Sequence, residues 1–190
     1  MIVGFTGRKR TGKNTAAAVI ERQRSFAARL KEMCVGIWDL DWDQVDGEHK
    51  ESPVGPIEID RAIGGLEAWT GLHLPHRGLV AYTPRQLLQY VGTDYIRSVD
   101  PDYWINYLIG DIPRQPLVAV TDVRFANEAA AIHRAGGVVV RITRPGLVSD
   151  DNHPSEAEID RLEVDAEFVN AGTPSDLQVE VSKWLSRISS

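Results

Sequence analysis

Residues 2–15 read IVGFTGRKRTGKNT, and the order of residue types in this stretch decides the fold. Ile2–Phe5 is a short apolar run that stops at a glycine-punctuated loop, the pattern of a buried strand. Gly7, Gly12 and Lys13 then fall at the G-x4-G-K spacing of a phosphate-cradling loop, with Asn14 where Ser or Thr is usual and Thr15 after it. The spacing has a physical basis. Glycines let main-chain N–H groups turn toward an anion, the start of a helix adds partial positive charge, and the lysine reaches the terminal phosphates. At ordinary residue frequencies the pattern arises by accident in about one chain of this length in fifteen. Its place between a strand and a helix cuts that several-fold, so a nucleotide-binding loop is preferred to a plain basic turn.

Beyond the loop the pattern turns helical. Ala16, Val19, Ile20, Phe26, Ala27, Leu30 and Met33 recur at roughly helical spacing, as two helices split near Arg24-Ser25. Residues 35–82 are rich in Trp, Asp, Gly and Pro, and Asp41–Ser52 reads as a polar helix or a loop. Thr83-Pro84 starts a helix whose apolar face holds Leu87, Leu88, Tyr90 and Val91. Leu117–Thr121 is a second apolar run, fenced by Pro113, Pro116 and Asp122. Asn127–Ala135 reads as a helix closed by Gly136-Gly137, Val138–Ile142 as a third strand, and Ser155-Glu156 as the opening of an acidic helix. A last strand over Ala166–Val169 and an amphipathic helix over Asp176–Ile188 complete the chain. Strands alternating with helices imply a parallel sheet covered on both faces.

Composition limits the function classes. Among 190 residues, 43% are hydrophobic and 25% charged, which places the chain among ordinary globular domains. A single cysteine, Cys34, excludes an internal disulfide framework and a cysteine-rich zinc site. No apolar run approaches the ~18–20 residues of a membrane span, and the opening MIVGFTG lacks a signal peptide's basic region, so a cytoplasmic protein with no membrane partner is expected. The net charge of −6 argues against a general nucleic-acid coat, and no direct nucleic-acid binding is expected. Residues 7–31 nevertheless hold eight basic side chains and one acid, while residues 149–167 hold eight acids and one arginine. The acidic run reads as a solvated helix face.

Other features weigh less. Asp122 follows an apolar strand, where a P-loop enzyme places an acid near magnesium, although a strand-end Asp is more often a turn residue. Arg85, Arg97, Arg124, Arg141 and Arg144 sit near element ends, where guanidinium groups can clamp phosphates. His73 and His76 lack a third metal ligand, and His153-Pro154-Ser155-Glu156 reads as a helix cap rather than a hydrolase pair.

Taken together, these residues resemble the deoxynucleoside monophosphate kinases of tailed phages. GRKRTGKNTAA is similar to that family's P-loop, and Phe26-Ala27 with Leu30-Lys31 to its short motif after the first helix. TPRQLLQYVGTDYIR (Thr83–Arg97) with Tyr103-Trp104 matches a mid-chain signature, and TDVRFANEAAAI…GG…VRITRP (Thr121–Pro145) the strand-acid-arginine segment after it. HPSE and Asn170-Ala-Gly…Leu177 complete the match in order. There are two departures: Asn14 stands where the family usually has Asp, and Arg29 where it commonly has Pro.

The resemblance implies an α/β, three-layer P-loop NTPase-type fold with a central, mostly parallel five-stranded sheet. It implies a single kinase domain over 1–190, with 35–82 as an insert or acceptor-side subregion. The implied reaction moves the γ-phosphoryl of ATP to a deoxynucleoside monophosphate, with Mg2+ as cofactor. Gly7, Arg10, Thr11, Gly12, Lys13, Asn14 and Thr15 are then the ATP-binding residues, Lys13, Asp122 and Arg144 the catalytic ones, and Asn14, Thr15 and Asp122 the metal ligands. Lys31, Arg85, Gln89, Arg97, Trp104 and Arg124 are the implied acceptor residues. If phage-encoded, the enzyme works in the host cytoplasm, and a homodimer is open. Two alternatives stand: a P-loop kinase for dephospho-coenzyme A or a phosphomevalonate-like acceptor, and a nucleotide-binding module without transfer.

Overall fold

The computed structural model describes residues 1–112, 117–147 and 158–188. They form two units, Met1–Phe26 with Ile105–Ser190, and Ala27–Trp104.

The first unit is built on a five-stranded sheet of β1 (Ile2–Thr6), β2 (Gln23–Arg24), β5 (Val118–Val120), β6 (Val138–Thr143) and β7 (Ala166–Val169), in the order β2-β5-β1-β6-β7. Every pairing is parallel, so the sheet is wholly rather than mostly parallel. β1 is central, and all five of its residues are buried. That is why the strand reads as a continuous apolar run rather than an alternating one.

Alternate residues of β1 face two different layers. On one side Val3 and Phe5 pack with Ala16, Ala17 and Ile20, and with Leu177, Val181 and Leu185. These come from or beside α1 (Lys13–Ala17) and from α8, the terminal helix Pro174–Ile188. On the other side lies α7 (Ala126–Arg134), packed so closely that a Cβ on Gly4 would stand 2.7 Å from Ile132 Cδ1. Burying Phe5 completely contributes about 2–3 kcal/mol. The three-layer P-loop NTPase-type fold is therefore present.

Two expectations need correction here. The helix after the loop is short, and β2 occupies the place read as a break between two helices. The two exposed residues of β2 carry no strand pattern, and only their pairing with Ala119 and Val120 makes them a strand. The acidic run is also more than a solvated face. Asp165 accepts from Val139 N at 2.7 Å and pairs with His133 at 2.9 Å, and Glu167 pairs with Arg141 at 3.6 Å. Pro113, Pro116 and HPSE (153–156) lie outside the described residues.

The second unit contains α2 (Ala27–Trp38), α3 (Trp42–Val45), α4 (Ile63–Thr70), α5 (Pro84–Gln89) and a two-stranded antiparallel pair of β3 (Ile57–Glu58) and β4 (Val80–Ala81). Asp41–Ser52 resolves into α3, opened by an Asp41–Gln44 capping box, and a 3-10 turn over Glu48–Glu51. Thr83 caps α5 as its sequence indicates, accepting from Gln86 N, with Pro84 in the first turn. α5 runs into a π-helical stretch, Tyr90–Arg97. The wider turn brings Gly92 against Leu30, where a Cβ would lie 2.7 Å from Leu30 Cδ2, and its carbonyl accepts from Trp104 Nε1 at 3.2 Å. Leu30, Met33, Cys34, Val45, Ile59, Leu66, Leu87, Val91, Tyr95 and Ile96 are among its buried apolar residues. Burial alone pushes the Cys34 thiol up to about 12. Helix α6 (Tyr103–Asp111) straddles the division between the units.

Candidate functional site

The carboxyl edge of the parallel sheet is where an open α/β fold exposes its loops to a ligand, at the point where the strand order reverses about β1. The segments that leave this edge are Gly7–Gly12 after β1, Ser25-Phe26 after β2, Thr121-Asp122 after β5, Arg144 after β6 and Asn170 after β7.

The loop after β1 has the geometry its glycines require. Gly7 sits at φ 141° and Gly12 at φ 102°, and Arg10 adopts a left-handed φ of 65° that few non-glycine residues take. A Cβ on Gly7 would stand 2.3 Å from Ile142 O, and one on Gly12 2.5 Å from Asn170 Nδ2. Lys13 Nζ donates to Gly7 O at 2.6 Å and Arg8 O at 2.7 Å, so its side chain folds back across the loop. Thr11, 3% exposed, donates its hydroxyl to Arg8 O at 2.9 Å. Asn14 is exposed and Thr15 half-buried.

Supports that the motif did not announce hold this loop. Asn170 Nδ2 donates to Thr11 O at 2.9 Å, and Gln178 Nε2 to Thr15 O at 3.3 Å. Arg8 Nε reaches Asp160 Oδ1 at 3.3 Å, and the Arg8 guanidinium holds that carboxyl below the usual range. Arg141 donates to the carbonyls of Leu162 at 2.6 Å and Ile159 at 3.3 Å, which fixes the segment bearing Asp160. The signal for Asn170 was its place directly after a strand. Asp160 and Gln178 had none.

Asp122 binds its neighbour strand. Its Oδ1 accepts from Phe26 N at 2.8 Å and its Oδ2 from Ser25 Oγ at 2.7 Å. Beyond it, Glu128, 3% exposed, accepts from Arg124 N at 2.8 Å and Phe125 N at 3.1 Å and closes the turn into α7. The acids of TDVRFANE thus both serve the backbone, and the Arg124 side chain is half-buried. Arg144 is exposed.

The remaining acceptor candidates lie in the second unit. Lys31 Nζ bonds Asp46 Oδ1 at 2.6 Å, Arg85 pairs with Glu51 at 3.4 Å, and Arg97 Nη1 donates to Pro101 O at 3.0 Å from the end of the π-helical stretch. Gln89 is half-buried at the last position of α5. Trp104 is 4% exposed with its N–H given to Gly92, so it is a core residue that braces the stretch carrying Arg97. His73 and His76 pair with Glu67 at 2.9 Å and Asp60 at 3.5 Å respectively.

Among the described residues, no group of three His, Cys, Asp or Glu could hold a metal ion. Magnesium needs less: one or two hard oxygens from the protein, with substrate phosphates and waters completing the octahedron. Asn14, Thr15 and Asp122 offer that chemistry. Thr6 adds an observation of its own at the end of β1, a fully buried hydroxyl with no hydrogen-bond partner among the described residues. The cradle therefore fits a phosphate chain with its metal. No helix among the described residues is long and apolar enough to cross a membrane.

Comparison with known proteins bears on the family of the chain. A protein of Acanthamoeba polyphaga mimivirus, named as a candidate deoxynucleotide monophosphate kinase, is 36% identical over 181 residues, covering 84% of this chain and 82% of that one. The deoxynucleotide monophosphate kinase of Escherichia phage RB69 is 30% identical over 107 residues, which is 53% of this chain and 44% of the phage protein. The crystal structure of TT1252 from Thermus thermophilus superposes with a TM-score of 0.47 at 15% identity, over 98% of this chain and 97% of that one. The profile of the deoxynucleotide monophosphate kinase family matches residues 78–181, which include the π-helical stretch, the Asp122 turn, β6, β7 and the first half of α8. The chain belongs to the deoxynucleotide monophosphate kinase family and is a phosphotransferase.

Proposed function

We propose that this chain transfers the γ-phosphoryl group of ATP to a deoxynucleoside monophosphate, giving the diphosphate and ADP in the cytoplasm of the cell that makes it. The loop Gly7–Gly12, held at positive φ by Gly7, Arg10 and Gly12 and braced by Asn170, is the observation that carries the reading.

An oxygen of the acceptor's phosphate dianion attacks the γ-phosphorus while the bond to the β–γ bridging oxygen breaks. That oxygen carries no proton at neutral pH, so no general base is required. What the protein supplies is position and charge neutralisation. Main-chain N–H groups of residues 7–15 face the donor's β- and γ-phosphates. Lys13, with three N–H donors, exchanges the Gly7 and Arg8 carbonyls for phosphate oxygens. Arg144, exposed beyond β6, closes over the transferring group. Lys31, Arg85, Gln89, Arg97 and Arg124 hold the acceptor, with Trp104 acting through the π-helical turn. Asn14, Thr15 and Asp122 are the residues that would hold magnesium, which neutralises charge on the β- and γ-oxygens.

The test is ADP release with each of the four deoxynucleoside monophosphates, AMP and dephospho-coenzyme A. Magnesium-dependent turnover is expected to be fastest with at least one deoxynucleoside monophosphate. Equal or greater turnover with dephospho-coenzyme A would sink the reading.

Asn14 makes a second prediction. Its amide oxygen is neutral, so it offsets less of the ion's charge than the carboxylate usual in the family. Asn14→Asp is expected to keep activity and lower the magnesium concentration for half-maximal rate. Asn14→Leu, of similar size but without the oxygen, should raise that concentration and cut kcat. Magnesium titration at fixed ATP decides. If Asn14→Leu titrates like wild type, the metal contact passes to Thr15.

A further inference from the structure

Several donors in the second unit converge on one carboxylate. Asp60 follows β3 directly, in the 3-10 turn Ile59–Ala62, with its side chain 24% exposed. Its Oδ1 accepts from the Tyr95 hydroxyl and from Arg77 N at 3.2 Å, and its Oδ2 from Gly78 N at 2.9 Å. His76 Nδ1 stands 3.5 Å from Oδ2. Tyr95 is fully buried, so its hydroxyl meets Asp60 out of water. The Tyr95 bond holds the Asp60 carboxyl down to about 2, and burial, with the Asp60 bond, pushes the Tyr95 hydroxyl up to about 12. Donor and acceptor therefore keep their roles throughout the neutral range.

A second path leads back to the same place. Arg77 Nη2 donates to Ser98 Oγ at 2.8 Å, and Ser98 Oγ donates to Tyr95 O at 2.8 Å. Asp60, Arg77, Ser98 and Tyr95 thus close a ring of hydrogen bonds at the end of the π-helical stretch. Arg97 is the last residue of that stretch, set between Tyr95 and Ser98. Winding matters here. Each residue of an α-helix turns the chain by about 100°, so one residue more or fewer in a turn swings every later side chain by that angle. The π winding is rare, so contacts from outside the helix must hold it. Losing it would carry Tyr95 away from Asp60, and Arg97 to another face of the helix.

We propose that Tyr95 and Asp60 are positioning residues: their bond holds the π winding and so aims Arg97 at the acceptor's phosphate. The pair β3 and β4, in the least patterned part of the sequence, then serves the reaction by presenting Asp60 after one strand and Arg77 before the other. The proposal rests on the kinase reading above for the role of Arg97. Tyr95 and Asp60 act through Arg97 and do not touch the substrate.

The experiment is equilibrium binding of each of the four deoxynucleoside monophosphates, and separately of ATP, with ADP release and urea unfolding on the same samples. Wild type is compared with Tyr95→Phe, Asp60→Asn, Arg97→Ala and the double variant Tyr95→Phe/Arg97→Ala. For the tightest-bound monophosphate, Arg97→Ala is expected to raise Kd about tenfold or more, as for a lost charge-assisted contact. Tyr95→Phe should raise it about three- to tenfold, the size of one hydrogen bond, and leave the Kd for ATP unchanged. The double variant should bind no more weakly than Arg97→Ala alone, because residues that act through one contact are not additive. Asp60→Asn keeps an oxygen for Tyr95 but loses the acceptor for Gly78 N. Its urea midpoint should fall while its monophosphate Kd stays within about threefold of wild type. That split separates the aiming of Arg97 from general loosening. Three results overturn the proposal and leave the kinase reading intact: unchanged monophosphate binding in Tyr95→Phe or Arg97→Ala, a further loss in the double variant, or a weakening that follows the urea midpoint across Tyr95→Phe and Asp60→Asn. Wild type that binds monophosphates without releasing ADP overturns the kinase reading, and the binding comparison still decides this one. Wild type that binds no monophosphate overturns both.

Discussion

Lys13→Ala is expected to lower kcat at least ~10²-fold, the loss seen when a donor aimed at developing transition-state charge is removed. The ammonium of Lys13 is held by the carbonyls of Gly7 and Arg8, the two residues that open the loop. It therefore starts beside any phosphate the loop holds. Because those bonds also brace the loop, the variant must be shown to unfold at the wild-type denaturant midpoint before the rate is interpreted. ADP release at saturating donor and acceptor then reads kcat directly. A variant within about tenfold of wild type would place the transferred group outside this loop.

Gly7→Ala is the second large effect. At φ 141° a side chain is strained whatever space it has, and here it has none, with Ile142 O 2.3 Å from the Cβ position. The contact is to main chain in the middle of the sheet, on β6, so it cannot be relieved by a rotamer change. Strain and overpacking together should cost about 2–4 kcal/mol of stability. ATP affinity should fall with it, since the loop can relieve the clash only by moving away from β6. Urea unfolding measures the first effect and ATP titration the second. An unchanged midpoint would mean that the loop is free to adopt another path.

Gly7 also shows why the sequence was readable in some places and opaque in others. The loop, β6 and the Thr83 cap were legible because each depends on local chemistry: positive φ at glycine, a buried β-branched run, and a threonine followed by proline. The two residues of β2 were not legible, because their extended state comes from pairing with Ala119 and Val120 rather than from their own types. The same holds for the site. Lys13 could be found from spacing, but Asn170 bonds Thr11 across a separation of 159 residues, and no periodicity reports on such a contact. Arg8 and Asp160 read as members of opposite charge runs, and only the fold makes them partners. Asp122 was picked out as a magnesium residue on its position after a strand, yet the structure also gives it work holding Ser25 and Phe26. The Lys31–Asp46 pair is of the same kind, because Asp46 sits in the stretch with the least pattern, at the end of the short helix α3.

Cys34 has a practical consequence of a different kind. It is the only cysteine in the chain, it is fully buried in α2, and its thiol stays protonated until about pH 12. Alkylating dyes react with the thiolate, so at neutral pH the native protein presents them with almost nothing to attack. A cysteine introduced on an exposed position, such as Ala18 at the end of α1, should therefore take up a maleimide fluorophore alone. Labelling stoichiometry near one per chain in the variant and near zero in wild type would provide an optical reporter beside the loop without any background substitution.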